Sequence, residues 1–525
     1  MWIEINQDSF AITQSGFVQH ADGPNIIFTS PGLNTITHLR DLKEAEYGIA
    51  LSIDTVNRNV AFGRDYLGHY PLLYAQSDDA IFISDDFNTI TAWLEKKHIA
   101  LTVSEESLAL YFVMGYVPQG RTLYDQVTTC SNATLYHWQN GNVTSEDIFT
   151  PIDVDESIGI SDLRDCLEQE MAKQASAHSD IDVWCSGGLD SCIISHLMNT
   201  NGRHANLLSL ENDDYIKREY GEGEYQFARE LADKLGLDLR SAVLTPEFFA
   251  QRYNDFIAQH LSPIVDLVVP PKYSLAYATN KIAMTGEGGD PLFSGVKNNA
   301  FLFSLHIHPK QDVGWLYSKV HGRLYKALDS LFTHGDELKG FVSEYFVKQF
   351  DKYPGDYTRK LFYMNTFGKQ GGMIFPKNYY AGKTYGIKTL HPLTSLSMYK
   401  LAFSLRDDMK YNYPDGKLAL IDAYKDELPD FVTTRKKSGT RLPLAYHVDN
   451  IAPNGLQPKV LSEFDYLDQA ALSSLGQAQN PHTKDVLLQY GLITLDKWLS
   501  KSQGENNART LSNTPCREQQ RRATG

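Results

Sequence analysis

A six-residue loop constrains this chain more than any other segment. Ser186-Gly187-Gly188-Leu189-Asp190-Ser191 follows the apolar run IDVWC and opens the helical pattern DSCIISHLM. Glycines let a backbone turn tightly with its N–H groups pointing inward, and the N-terminus of the following helix adds positive dipole character. With two hydroxyls and a carboxylate beside the glycines, the loop reads as a cradle for phosphate rather than a bare strand-to-helix turn. No GxxxxGK[ST] is present and no GxGxxG opens the fold, so it is neither a Walker loop nor a dinucleotide fingerprint.

The surroundings of the loop alternate. A helix (SDLRDCLEQEMAKQASA) precedes IDVWC; the strand ANLLSL, the helix EYQFARELADKLG, a short strand and a helix around PEFFAQRYNDFIAQH follow the loop. The strand KIAMT then runs into a second glycine-rich loop, Thr285-Gly286-Glu287-Gly288-Gly289-Asp290. Strand, crossover helix, parallel strand predicts a doubly wound parallel α/β sheet, whose ligands bind outside the carboxyl ends of the strands. Residues from about 297 to 500 read as mostly helical and aromatic-rich, packed around that sheet. The first 150 residues differ, with short apolar runs such as NIIFTS, YGIALSID, RNVAFGRD, PLLYAQ and AIFISDD between Gly, Asn, Asp and Pro. Ser104 opens a helical stretch there, and Asn140-Gly141 marks a hairpin turn. The predicted division is 1–150, 151–501 and a polar, aperiodic tail, 502–525, expected to be disordered.

Composition removes several classes of function. A length of 525 residues allows two to four domains at roughly 100 to 200 residues each, and 42% hydrophobic with 22% charged residues is globular composition. With 49 Lys plus Arg against 64 Asp plus Glu, the net charge of -15 opposes a nucleic-acid partner. No run of about 18 apolar residues suggests a membrane span, and the five cysteines form no CxxC pair or zinc spacing. The expected setting is reducing, soluble and cytoplasmic.

SGGxDS after a strand resembles the fingerprint of the ATP-pyrophosphatase, or PP-loop, enzymes. Several further segments, in order, resemble the asparagine synthetase family. Thr285 to Asp290 is similar to its SGEGxDE loop, and Arg435-Lys436-Lys437-Ser438-Gly439 to its late R-x-K segment. Lys417 in GKLALIDAYKDELPD sits where the family has a K..L..A....LP helix, and Glu224-Tyr225 where it has a DE helix start. Nearer the start, Arg64 to Tyr74 (RDYLGHYPLLY) is similar to the hairpin RDxxGxxPLYY, and Phe82 to Asp85 to FASE. The resemblance spans about residues 45 to 445. It implies a glutaminase-like Ntn αββα sandwich followed by a synthetase domain that uses ATP and Mg²⁺ to activate a carboxylate, releasing AMP and pyrophosphate.

On that resemblance Ser186, Gly187, Gly188, Asp190, Ser191 and Gly286 would bind the nucleotide, and Asp190 and Asp290 the metal, a hard cation suited to oxygen ligands. Either aspartate alone could instead cap the helix after it. Lys437 would meet the oxyanion and departing pyrophosphate, although a lysine in RKK is by itself an ordinary surface charge. Glu287 would orient the amine or take its proton, or else bond to backbone amides.

The chain also departs from that family. Residue 2 is Trp where glutamine-dependent members carry a cysteine nucleophile, so the sandwich is expected to lack glutaminase chemistry and the amine to come from elsewhere. Pro291 follows Asp290 where the family has Glu, and His391-Pro392-Leu393-Thr394 lacks the Asp of PFLD. These features are similar to the lasso-peptide macrolactam cyclases and, in RKKxG, to the β-lactam synthetases, which carry Tyr in place of Glu287. The favoured expectation is a lasso-type cyclase with a peptide or amino-acid-derived carboxylate substrate, in whose threaded cavity the aromatics of 297–385 would take part, and with a precursor-processing protease as partner. A β-lactam former or an ammonia-dependent or externally fed asparagine synthetase is the alternative.

Overall fold

The computed structural model describes the chain apart from residues 1, 7–9, 14–17, 23–24, 31–32, 34–37, 177, 179, 201–204, 267–274, 276, 309–311, 436–443, 478–482 and 513–525. Among the described residues eleven strands build the first part: β1 (Trp2–Asn6), β2 (Phe10–Thr13), β3 (Val18–Asp22), β4 (Asn25–Thr29), β5 (Ile49–Asp54), β6 (Val60–Arg64), β7 (Leu73–Gln76), β8 (Ala80–Ser84), β9 (Val127–Thr129), β10 (Thr134–Gln139) and β11 (Asn142–Asp147). They form two antiparallel sheets ordered β2-β1-β8-β7-β9 and β11-β10-β6-β5-β4-β3. Because side chains alternate along a strand, Ile3, Ile5, Ile81 and Ile83 of the first sheet face Leu51, Ile53, Phe62 and Trp138 of the second in one core. Phe82 points the other way, toward the helices Phe87–Lys96 and Glu105–Met114. The outer face of the second sheet buries Ala50 and Leu135 against Leu42 of the 3₁₀ segment Leu39–Glu44.

Local signals explain the ends of these elements. Ser104 Oγ accepts the Ser107 N–H, and Gly115, at φ +81°, closes the same helix in the left-handed region. Asn140 (φ +51°) and Gly141 (φ +79°) turn β10 into β11, the two positive values that a two-residue type I′ hairpin needs.

The second part holds a parallel sheet of five strands: β12 (Ile181–Trp184), β13 (Ala205–Asn212), β14 (Asp238–Leu244), β15 (Ile282–Thr285) and β16 (Lys388–Leu390), in the order β14-β13-β12-β15-β16. All four residues of β12 are buried, as expected for a central strand covered on both faces. Strand order reverses between β12 and β15, and both glycine loops leave the sheet at that point. The rest is mainly helical and includes an eleven-residue π-helix, Met364–Ile374.

The fold departs from expectation in three places. β16 completes the sheet although only three residues contribute. The strands β1 to β3 carry weakly patterned sequence and were not foreseen individually. The stretch read as a disordered tail is in part helix: Thr483–Ser512 runs through residues 502–512, and 513–525 lie outside the described residues. Among the described residues no helix is long and apolar enough to cross a membrane.

Side chains of the RDYLGHYPLLY segment tie the two parts together. The buried Arg64 guanidinium donates to Gln119 Oε1 (2.5 Å) and to the carbonyl of Gly371 (3.3 Å), while Gln119 Nε2 donates to Phe367 O (2.6 Å). His69 lies against Asp65 Oδ1 through Nδ1 (3.1 Å) and against Thr394 Oγ1 through Nε2 (3.3 Å).

Candidate active site

The cradle starts where β12 ends. Gly187 has φ +71°, and a Cβ there would come 2.6 Å from Phe227 Cβ and 2.9 Å from Ala228 N, so the helix Tyr225–Leu235 packs directly on its backbone. Ser191 Oγ accepts the Ser186 N–H (3.2 Å) and donates to Gly188 O (3.0 Å), which folds the loop back over the start of the helix Leu189–Thr200. The second loop closes on the first. A Cβ on Gly286 would meet Ser191 N at 2.6 Å, and one on Gly289 would meet Asp190 Oδ1 at 2.2 Å. Both positions therefore require glycine for contact, independently of any ligand, and this contact brings Asp190 beside the turn that carries Asp290.

A lysine stands between the two carboxylates. Lys417 Nζ donates to Asp190 Oδ2 at 2.5 Å and lies 2.8 Å from Asp290 Oδ1. Its backbone is left-handed, φ +60°, an unusual conformation for a residue with a side chain, and its N–H is held by Phe293 O at 2.7 Å. Burial works against the ammonium, but the charges of Asp190 and then Asp290 outweigh it and hold Lys417 above the ordinary lysine value. Asp190 is mostly enclosed, whereas the Asp290 side chain is 50% exposed.

Of the residues singled out from sequence, Ser186, Gly187, Gly188, Asp190, Ser191, Gly286, Glu287 and Asp290 belong to these two adjoining loops. Glu287 is partly exposed, and its N–H donates to Thr285 Oγ1 (3.4 Å), which itself lies 2.7 Å from His391 Nδ1. Lys437 lies outside the described residues. Arg435, two positions before it, is described: its Nη2 donates to Gly187 O at 2.9 Å, and its guanidinium lies 3.8 Å from the centre of the Phe227 ring. Cys185 and Cys192 are fully buried, as structural thiols are. Glu224 begins the helix that covers Gly187 but makes no side-chain cap bond there.

Sequence reasoning noted Lys417 and Arg435 within motifs and gave neither a role. A positive charge just before a helix, with two aspartates pledged to phosphate-type loops elsewhere, was the signal available for Lys417. The aromatics of 297–385 divide. Phe301, Phe350, Phe362 and Phe375 are buried core, and Tyr317, Phe346 and Phe367, buried as well, line a cavity against the sandwich together with Tyr345 and Tyr353.

A doubly wound sheet with two adjoining glycine loops and paired carboxylates at its switch point defines an α/β protein with its candidate site where open sheets of this kind take ligands. The chain belongs to the asparagine synthase family, which matches residues 162–500, and residues 39–149 match the glutamine amidotransferase domain. It is 24% identical to asparagine synthetase [glutamine-hydrolyzing] 1 of Bacillus subtilis over 46% of this chain and 38% of that protein. It is 25% identical to a putative asparagine synthetase [glutamine-hydrolyzing] of Mycobacterium tuberculosis over 54% of this chain and 44% of that one. The chain thus spans less than half the length of these curated relatives. An NMN synthetase structure from Francisella tularensis is 12% identical over 45% of this chain and 99% of its own, with a TM-score of 0.20.

Proposed function

We propose that the protein is an ATP-dependent, AMP-forming carbon–nitrogen ligase that adenylates a side-chain carboxylate and passes it to an amine of the same molecule, closing the macrolactam ring of a lasso-type peptide. The supporting observation is that Asp190 and Asp290, on loops from neighbouring strands, converge beside the glycine cradle. Lys417 pairs with both, at 2.5 and 2.8 Å.

The residues present fit Mg²⁺. The two carboxylates are oxygen donors of the kind a hard cation takes and lie close enough for one to bridge them beside Lys417, with phosphate oxygens and water filling the remaining positions. Asp190 and Asp290 would hold it, and its charge would offset that of the triphosphate. The backbone of Ser186, Gly187, Gly188, Ser191 and Gly286 would surround the phosphates. In the reaction, a substrate carboxylate oxygen attacks the α-phosphorus and pyrophosphate leaves. The amine then attacks the acyl carbon, AMP leaves, and the amine proton goes to Glu287. Lys437, two positions after Arg435 in the sequence, would neutralise the oxyanion.

An intramolecular amine is supported by Pro291 and Thr394, which remove two acidic side chains where the family places them around its amino-acid substrate. Thr394 is instead engaged with His69 of the sandwich. Exchange of labelled pyrophosphate into ATP tests the reading with three kinds of carboxylate: free aspartate, carboxyethylarginine-like amino acids, and short Asp- or Glu-containing peptides. Exchange with the peptides is expected. Exchange with free aspartate alone would make the protein an asparagine synthetase, and none with any carboxylate would remove the ligase reading.

A further inference from the structure

We propose that the cavity between the sandwich and the helical layer is a substrate subsite, which takes an apolar or aromatic residue bearing a free carboxylate and holds that carboxylate on Lys369. This rests on the ligase reading above and names where part of its substrate would sit.

The cavity measures about 300 Å³, with Tyr116, Asn132 and Asp147 on the sandwich side and Tyr345, Tyr353 and Phe367 on the other. That is the low end of ligand-pocket volumes, which favour domain interfaces. It suits one or two amino-acid residues and is far too small for a whole threaded peptide. Ring faces on both sides offer an apolar or aromatic side chain stacking contacts.

Its charge is unlike that of the rest of the molecule. The chain carries a net -15, yet the walls include Arg121, Lys352 and Lys369 against the single acid Asp147. Arg121 is paired with Glu106 at 2.9 Å. Lys369 has no hydrogen bond or ion pair among the described residues, and the two carboxylates whose charge acts on it are already engaged. Asp266 is held by Arg323 at 3.1 Å and Lys377 at 3.2 Å, and Asp290 by Lys417 at 2.8 Å. Enclosure first, and then the neighbouring Arg323, push the Lys369 ammonium below the ordinary lysine value. A partly buried cation without a partner gains from a visiting anion.

The element that carries Lys369 also connects the cavity to the chemistry. Met364, Phe367, Gly368 and Lys369 all belong to the π-helix Met364–Ile374 and all line the cavity. The same helix packs on the turn Gly289–Leu292 that bears Asp290. π-helical turns are rare and frequently lie at functional sites. A residue seated in the cavity would therefore lie next to the loops that activate the carboxylate.

The test measures binding without turnover, on the full chain, by calorimetric titration with N-acetyl-phenylalanine, with its uncharged amide, and separately with Mg-ATP. The wild type is expected to prefer the acid over the amide by about tenfold or more, a preference lost in Lys369→Met and restored in Lys369→Arg, with Mg-ATP affinity unchanged. Gly368 is not in the left-handed region, and a Cβ there would meet only Met364 Cγ, at 3.9 Å. Gly368→Leu, which fills the cavity without touching the charge, should also abolish acid binding, and it serves if the lysine variants fold poorly. The proposal fails if the wild type does not saturate with the acid at millimolar concentration, or if Lys369→Met binds it as the wild type does. It also fails if that variant loses Mg-ATP instead, which would place Lys369 in the nucleotide site. Because no reaction is followed, a chain that fails pyrophosphate exchange can still pass here, so the two readings fall separately.

Discussion

Lys417 Nζ stands 2.5 Å from Asp190 Oδ2 although 227 residues separate them, and the same ammonium lies 2.8 Å from Asp290 Oδ1. Removing the amine leaves two carboxylates facing each other. Lys417→Met is therefore expected to lose about 2 to 3 kcal/mol of stability, less than a fully buried pair would because Asp290 is half exposed. It should also slow pyrophosphate exchange by about 10²- to 10³-fold. Urea unfolding measures the first effect and labelled exchange the second.

Metal dependence should follow from the same pair of acids. Chelation with EDTA is expected to abolish pyrophosphate exchange, and a Mg²⁺ titration to restore it. Asp190→Asn and Asp290→Asn should each raise the Mg²⁺ concentration giving half-maximal exchange by about tenfold or more. A substitution that leaves the Mg²⁺ curve unmoved would remove that aspartate from the metal set.

The close approach of the loops predicts sharp intolerance of the smallest side chain. Gly187→Ala places a methyl 2.6 Å from Phe227 Cβ at φ +71°, and Gly289→Ala places one 2.2 Å from Asp190 Oδ1. Each is expected to cost about 1 to 3 kcal/mol and to weaken Mg-ATP binding. Gly340→Ala, with nothing within 4 Å of its added methyl, should leave both unchanged. Thermal melting and calorimetric titration check this set.

Acid should destabilise the protein through three enclosed histidines. Burial pushes His260 down to about 3 and His447 to about 4, and it holds His321 below the ordinary 6.5. Each stays neutral when folded while the unfolded chain takes up a proton below about pH 6.5. Stability is thus full above that pH and falls as the pH drops toward 4, by up to about 1.4 kcal/mol per pH unit for each group. Denaturant midpoints between pH 7 and 5 measure the slope, and His447→Phe, a ring that can still stack on Phe249, should make it shallower.

Much of this architecture was legible because two signals coincide in the sequence. β12 and β15 are short apolar runs that each end in glycines, and only a central parallel strand with a ligand loop asks for that combination. β16 escaped because Lys388–Leu390 is too short to show any periodicity; its place is fixed by pairing with β15. The part played by Lys417 escaped for a different reason. Its environment is made by residues 190 and 290, and no local pattern reports a contact across that separation. The cavity was hidden in the same way, since its walls come from two parts of the chain and its aromatics look like any core. The helix to Ser512 was missed because polar residues such as QGENNART carry no apolar stripe.

The bonds from Arg64 to Gly371, from Gln119 to Phe367 and from His69 to Thr394 have a mechanical consequence. They bolt a sheet sandwich to the π-helix and to the segment beside the second loop, and every one is enclosed or nearly so. Severing the two parts would take the Gly371 carbonyl from the Arg64 guanidinium and the Phe367 carbonyl from the Gln119 amide. The pair should melt as a single cooperative unit, and the parallel-sheet part should not survive being grafted onto a foreign partner.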